Sequence, residues 1–395
     1  MLTEQHIATI KSTIPILEEA GPALTAHFYK RMFEQDPQVK HIFNMSNQRS
    51  GGQQAALFEA IAAYAKNIEN LGALTAAVER IAHKHTSFNV QAEHYEIVGK
   101  HLIGTLHDLL GEAFTQPLED AWTAAYLFLA KVFIDREEQL YSQNETAQGG
   151  WRGLRDFTVV DKIPESKWVT SFVLKPLDGG EVVSYQAGQY LGLQLEPSDS
   201  EYKEIRQYSL SDKPSADHYR ISVKREANEN PGVISNYLHD CVNVGDVVKV
   251  MPPAGDFFFV DKNAPVVLIS AGVGATPMQA MLETLAAQDY PQSVSYLYAC
   301  EDKSEHTFAK RTAELTQAKA WQNFAWYRTN STKAQGVING LMELKPLAEQ
   351  LPLADGDFYI CGPVAFMQFI KGQLLELGVT ETQIHYEVFG PHKGL

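Results

Sequence analysis

The composition of this 395-residue chain breaks near residue 145, and the break limits it to a helical part followed by a part of another class. Before it lie 8 of the 13 histidines but only 7 of the 27 glycines and 4 of the 18 prolines; the other 20 glycines and 14 prolines come after it. Few breakers leave room for long helices, whereas dense Gly and Pro demand turns. At roughly 150 residues per domain the length supports two or three domains. The apolar fraction of 45% and charged fraction of 21% are those of an ordinary globular protein. A net charge of −15 weighs against nucleic acid or an anionic membrane surface as partner. Cys241, Cys300 and Cys361 lie too far apart for a disulfide framework or a metal motif, which points to a reducing compartment. The N-terminus has no basic region followed by an apolar run, and no apolar stretch reaches about 18 residues. A cytoplasmic protein without a membrane span is expected.

In the helical part the breaks are GP at 21–22, DP at 36–37, a polar turn at 45–52 and LG at 71–72. Leu71, Leu74, Val78 and Ile81 fall at helical spacing, Ala82 widens the stripe, and the next position on that face is His85. His83 sits above Glu79 and Arg80 on a polar face, and Lys84 also points away. A buried neutral imidazole needs a partner, so His85 is either a core histidine bonded to a carbonyl or a ligand. Tyr95 heads the series Val98, Leu102, Leu106, Leu109, and Glu137 continues Tyr126, Ala130, Phe133. Tyr95 can equally be a core ring with its hydroxyl at the surface. Glu137 can equally be a solvated carboxylate, since its helix is expected to fray near Tyr141. Three polar side chains on three apolar faces suggest one shared site. Earlier, Tyr29 and Phe43 lie in apolar surroundings, and Gln53 and Leu57, four apart, share a face with Ile61 and Tyr64.

Residues 154–260 alternate with period two in FTVV (157–160), WVTSFVL (168–174), YLGLQL (190–195), YRISV (219–223) and VVKV (247–250), as in a small antiparallel barrel. Within it stand Arg206-Gln207-Tyr208-Ser209 and, opening a helix, Gly232-Val-Ile-Ser235. An Arg beside a Ser, a helix N-terminus and a Tyr that can stack suit a pyrophosphate and a ring; RQYS alone is also compatible with an exposed strand. From 265 the pattern becomes α/β. PVVLIS (265–270) runs into AGVGATP (271–277) and a helix, and two further strands follow, SVSYLYAC (293–300) and DFYICG (357–362). Gly272 and Gly274 let backbone approach a phosphate, although Pro277 stands where G-x-G-x-x-G has its third glycine. Cys361-Gly362-Pro363 closes the last strand at its carboxyl end, where open α/β sheets bind ligands.

With RQYS, GVIS, AGVGATP and CGP in this order, residues 154–395 resemble the ferredoxin-reductase family, and residues 1–140 resemble a bacterial globin. Together, with the FGPH tail, the chain resembles a flavohaemoglobin over essentially its whole length. The resemblance implies an all-α globin (1–140), a linker (141–153), an antiparallel β-barrel FAD domain (154–260) and an α/β NAD(P) domain (261–395). It implies haem b, FAD and NAD(P)H as cofactors, and nitric oxide dioxygenase activity. His85 resembles the proximal haem ligand, backed by Tyr95 and Glu137. Tyr29 resembles the distal donor, with Gln53 beside it and Phe43 and Leu57 lining the distal pocket. Tyr190, Arg206 to Ser209, Gly232 and Ser235 resemble the FAD site, with Val388, Phe389, Gly390 and Pro391 packed on the flavin. Ala271, Gly272, Val273, Gly274, Ala275 and Thr276 resemble the NAD(P) phosphate loop, and Cys361 the residue beside the nicotinamide. Glu387 and Lys84 are expected on the electron path. Expected partners are O2, NO and NAD(P)H, with no nucleic acid and no integral membrane contact, for a monomer. Glu301 and Asp302 after a strand favour an unphosphorylated ribose, hence NADH. A gas sensor would not need the reductase motifs, and a plain flavin reductase would lack a Soret band. A lipid peroxide or quinone reductase would share the same cofactors.

Overall fold

Some helix ends fall on the expected breakers, whereas the breaks at Thr13, at 87–91 and at 111–115 are not among them. The computed structural model describes residues 2–43, 52–197, 200–227, 231–329 and 336–390. By packing, the chain divides into two units, residues 2–146 with 194–206 and Gly390, and residues 147–193 with 207–389. The first unit holds α1 (Glu4–Ser12), α2 (Ile14–Gln35), α3 (Gly52–Lys66), α4 (Thr75–Thr86), α5 (Ala92–Leu110) and α6 (Gln116–Thr146). The GP at 21–22 produces a kink, not a loop: Gly21 takes φ 52° and ψ −147° within α2, a conformation that costs a residue with Cβ more than glycine. Asp36 ends α2 and Pro37 opens a single 3-10 turn, Pro37–His41. The LG at 71–72 likewise forms a 3-10 turn, Leu71–Leu74, that leads into α4. The polar turn expected at 45–52 lies outside the described residues except for Gly52. The fraying expected near Tyr141 does not occur. The last helix runs on to Thr146, and Tyr141 is buried with its hydroxyl donating to Val90 O (2.7 Å). The first six residues of the expected linker are therefore helical.

The second part carries β1 (Arg155–Pro164), β2 (Val169–Pro176), β3 (Tyr190–Leu195), β4 (Glu204–Ser209), β5 (Tyr219–Lys224) and β6 (Val247–Val250). They form one six-stranded sheet, order β4-β3-β6-β1-β2-β5, with antiparallel pairing of β1 to β2 and β6 and of β2 to β5. Leu210, just past β4, bridges to Ile221 of β5, so the two edge strands meet and the sheet closes as a barrel. Between β5 and β6 lies α7 (Val233–Asp240).

The remainder is a parallel sheet of β7 (Val266–Ala271), β8 (Val294–Cys300), β9 (Gln322–Tyr327), β10 (Val337–Asn339), β11 (Asp357–Cys361) and β12 (Ile384–Glu387), in the order β10-β9-β8-β7-β11-β12. Three of these strands, β9, β10 and β12, exceed the three expected from sequence. QNFAWY is too polar at its start to read as a buried strand. Helices α8 (Ala275–Ala287), α9 (Ala309–Ala318) and α10 (Val364–Glu376) accompany the sheet. Leu268 and Tyr296 pack with Met278 and Leu282 of α8 on one face, while Val267 and Ile360 pack with Met367 and Ile370 of α10 on the other. Both faces of the sheet are thus covered, as parallel sheets require.

The strand order reverses between β7 and β11, and there the two loops touch. A Cβ on Gly274 would run into the backbone carbonyl of Cys361, so only glycine fits. Gly274→Ala is expected to force these loops apart at a cost of about 1–3 kcal/mol. The check is the denaturant midpoint of the second unit within the full-length protein; an unchanged midpoint would show that the loops can yield.

Candidate functional site

The three polar side chains expected on apolar helix faces meet. His85 comes from the last turn of α4, Tyr95 from the first turn of α5 and Glu137 from the interior of α6. His85 Nδ1 lies 2.7 Å from Glu137 Oε1 and 2.9 Å from the Tyr95 hydroxyl, and Tyr95 donates to the same Glu137 oxygen at 2.6 Å. An ionised carboxylate only accepts, so the imidazole proton sits on Nδ1 and is donated to Glu137. In the neutral ring that assignment leaves Nε2 with a lone pair to offer. Glu137 is only 3% exposed, so its alternative as a solvated carboxylate is set aside by the geometry. Burial, reinforced by the Glu137 charge, pushes the Tyr95 hydroxyl far above its usual range, so it remains a donor. Phe133 tilts against the His85 ring with centroids 5.7 Å apart.

His85 opens onto an apolar cavity of about 260 Å³, with walls that include Phe28, Phe43, Leu57, Ile81, Val98 and Phe133. The tyrosines of the wall have spent their hydroxyls elsewhere. Tyr64 donates to Ala125 O (2.9 Å), Tyr126 to Tyr95 O (2.5 Å) and Tyr95 to Glu137. An aromatic-lined cavity with one unprotonated imidazole nitrogen suits a flat apolar group carrying a metal that takes nitrogen ligands. Among the described residues, no group of three or more His, Cys, Asp or Glu side chains could itself hold a metal ion.

Tyr29 is buried in the cluster that also holds Phe43 and Leu57; its ring meets Phe28 edge-on at 5.1 Å and Phe43 at 5.8 Å. Gln53 belongs to α3, but its side chain lies outside the described residues. Lys84 donates to Gly390 O (3.0 Å), both within the first unit. His94 was missed in the sequence. It lines the same cavity, and its Nδ1 accepts from Gln91 N (2.8 Å), which closes the start of α5. The signal was local: a capping pattern with His three residues after Gln91.

In the barrel, Arg206 pairs with Glu204 (2.8 Å) on β4, and Tyr208 and Ser209 end that strand. Tyr190 opens β3 and bridges to Ala254. Gly232 is the N-cap of α7, and Ser235 lies in its first turn, accepting from Glu226 N (3.2 Å). Among the described residues no side chain caps this helix end, and first amide N–H groups so placed suit an anion. In the nucleotide part, Ala271 ends β7, Gly272–Gly274 makes a 3-10 turn and Ala275 opens α8, with Thr276 donating to Val273 O (3.0 Å). Cys361 is fully buried at the end of β11, its thiol pushed well up by burial and then by the Glu387 charge. Register pairs Cys361 with Glu387, so two residues 26 positions apart in sequence adjoin at the sheet's carboxyl edge. Val388 is buried and Phe389 is exposed, while Pro391 lies outside the described residues.

Comparison with known proteins agrees with this layout. A globin family model matches residues 26–133, an oxidoreductase FAD-binding domain model residues 156–259, and an oxidoreductase NAD-binding domain model residues 268–372. A flavohemoprotein of Vibrio cholerae serotype O1 is 61% identical over 397 residues, covering 100% of both chains. The chain belongs to the flavohemoprotein family. A flavohemoglobin of Malassezia yamatoensis, solved with bound FAD and heme, is 29% identical and covers 98% of this chain and 100% of its own, with a TM-score of 0.87. The FAD/NAD-binding domain of a nitric oxide dioxygenase from Vibrio cholerae O1 biovar El Tor is 56% identical, covering 60% of this chain and 99% of that domain, with a TM-score of 0.58. This flavohemoprotein is an oxidoreductase in which a helical globin domain precedes an antiparallel FAD-binding barrel and a parallel NAD-binding sheet.

The hydroxyl of Tyr95 is the member of the triad that can be removed with least change of shape. Tyr95→Phe is expected to lower stability by about 1.5–3 kcal/mol, the range for a hydrogen bond to a charged group. Urea unfolding followed by helical circular dichroism measures it, and a change under about 0.5 kcal/mol, the level of a neutral surface substitution, would show that the bond is not needed.

Proposed function

We propose that this chain is a nitric oxide dioxygenase that converts NO and O2 to nitrate, drawing electrons from NAD(P)H through FAD to haem b, in NO detoxification in the cytoplasm. The observation that carries the reading is the Tyr95–Glu137–His85 chain of hydrogen bonds ending at an unprotonated Nε2 in an apolar cavity, in a polypeptide that also holds FAD- and NAD-binding domains. The relatives' names support it: one is a nitric oxide dioxygenase, and another was solved with FAD and heme bound. When bound, FAD turns the hydride's electron pair into single electrons, and haem b uses them to drive O2 chemistry.

The residues act as follows. His85 Nε2 ligates the iron. Glu137 pulls on the Nδ1 proton and so makes the imidazole a stronger electron donor, while Tyr95 holds the carboxylate in place. Tyr29, with Gln53, donates a hydrogen bond on the distal side, where negative charge develops. Phe43 and Leu57 keep water from that side. Arg206 and the amides after Gly232 hold the FAD pyrophosphate, with Gln207, Tyr208, Ser209, Ser235 and Tyr190 around the nucleotide and Val388 to Pro391 along the ring. Ala271 to Thr276 cradle the NAD(P)H phosphates. Cys361 positions the nicotinamide, and Glu387 and Lys84 flank the electron path. The protein works as a monomer on small molecules alone. No helix among the described residues is long and apolar enough to cross a membrane.

The decisive assay is NADH-dependent NO consumption with and without O2, together with nitrate yield. One nitrate per NO, only when O2 is present, is expected; consumption that ignores O2 would overturn the reading. His85→Ala should purify without a Soret band yet still reduce artificial electron acceptors, and retention of stoichiometric haem would remove His85 as ligand. Tyr29→Phe should speed O2 release by roughly tenfold, the worth of one charge-assisted hydrogen bond, and leave flavin reduction unchanged.

A further inference from the structure

Strand β1 contains a bulge that changes where its lysine points. The register pairs Val159 with Leu174, Asp161 with Val173 and Lys162 with Phe172, so Val160 is an extra residue. Counting by twos from the buried Phe157 and Val159 would place Lys162 on the outer face. The bulge reverses that parity and sets it on the same side as Phe172, which is fully buried. There the ammonium lies 5.2 Å from the centroid of the Phe172 ring and donates to Val242 O (2.6 Å), His239 O (3.1 Å) and Leu238 O (3.4 Å). These carbonyls belong to the last turn of α7 and the residues just past it. All three ammonium donors are used, on a helix end that carries partial negative charge.

An eight-residue helix makes few internal hydrogen bonds, so what holds its ends decides its position. Arg225 pairs with Asp240 at the same end, but that pair is side chain to side chain and half-exposed, and brings the carbonyls no charge. His239 is engaged by Val223 O (2.8 Å). At the other end, the uncapped amides after Gly232 are those assigned above to the FAD pyrophosphate.

We propose that Lys162 is a positioning residue for the FAD pyrophosphate, acting through α7. It clamps the carbonyl end of the helix and offsets its negative pole, so that the opposite amides are fixed where the diphosphate binds. The inference rests on the assignment of Gly232–Ser235 to the pyrophosphate.

The test uses the full-length protein, stripped of flavin and titrated with FAD and with riboflavin, which has no phosphate. Lys162→Met keeps the reach of the side chain without charge or donors, and Lys162→Gln keeps a donor without charge. Either variant should weaken FAD about five- to tenfold, within the range for a partly buried charge at a helix end, and leave riboflavin within about twofold. Lys162→Arg should restore most of the FAD affinity. Equal weakening of both flavins, or no weakening of FAD, would overturn the proposal. Ser235→Asp places a negative charge at the amide end and separates the two levels. If it weakens FAD selectively while the Lys162 variants do not, the pyrophosphate assignment stands and only the role of Lys162 falls. If it leaves FAD unchanged, the pyrophosphate lies elsewhere and both fall.

Discussion

Glu137 sits inside a helical bundle with 3% of its surface exposed, and a carboxylate so placed is tolerated only when donors reach it. Two do, both at one oxygen: the imidazole N–H of His85 and the hydroxyl of Tyr95. Each member of the set comes from a different helix. Any shift of α4, α5 or α6 along its axis would strand a buried charge, so the electrostatic requirement fixes the relative register of the three helices as well as the orientation of the ring. Apolar packing alone would be more forgiving, since neighbouring aliphatic side chains can exchange places at modest cost.

The reductase half secures its site differently. Its positions are set by backbone proximity: Gly274 against Cys361, and the parallel register that brings Glu387 beside Cys361. There a missing side chain is the essential feature. Burial also keeps the Cys361 thiol protonated, so this cysteine contributes shape and contact, not thiolate chemistry.

Much of this was legible beforehand because it depends on periodicity. Helix stripes exposed His85, Tyr95 and Glu137 as polar intruders, and period-two runs located five of the barrel strands within a few residues. What stayed hidden depends on contacts between distant segments. Whether Glu137 faced water or imidazole could not be decided from α6 alone, since the answer lies in α4 and α5. The strands β9, β10 and β12 carry weak local patterns, and neighbours in the sheet override them. Lys162 was invisible because a single inserted residue inverts the alternation on which strand reading relies.

The three tyrosines of the cavity wall, committed to Ala125 O, Tyr95 O and Glu137, have no hydroxyl proton left for a guest beside them. Small uncharged gases lose nothing on entering such a space, whereas an oxyanion formed there would exchange its water shell for hydrocarbon. Along that stretch of wall an uncharged guest is therefore favoured over a charged one, because the hydroxyl groups there are already engaged within the protein.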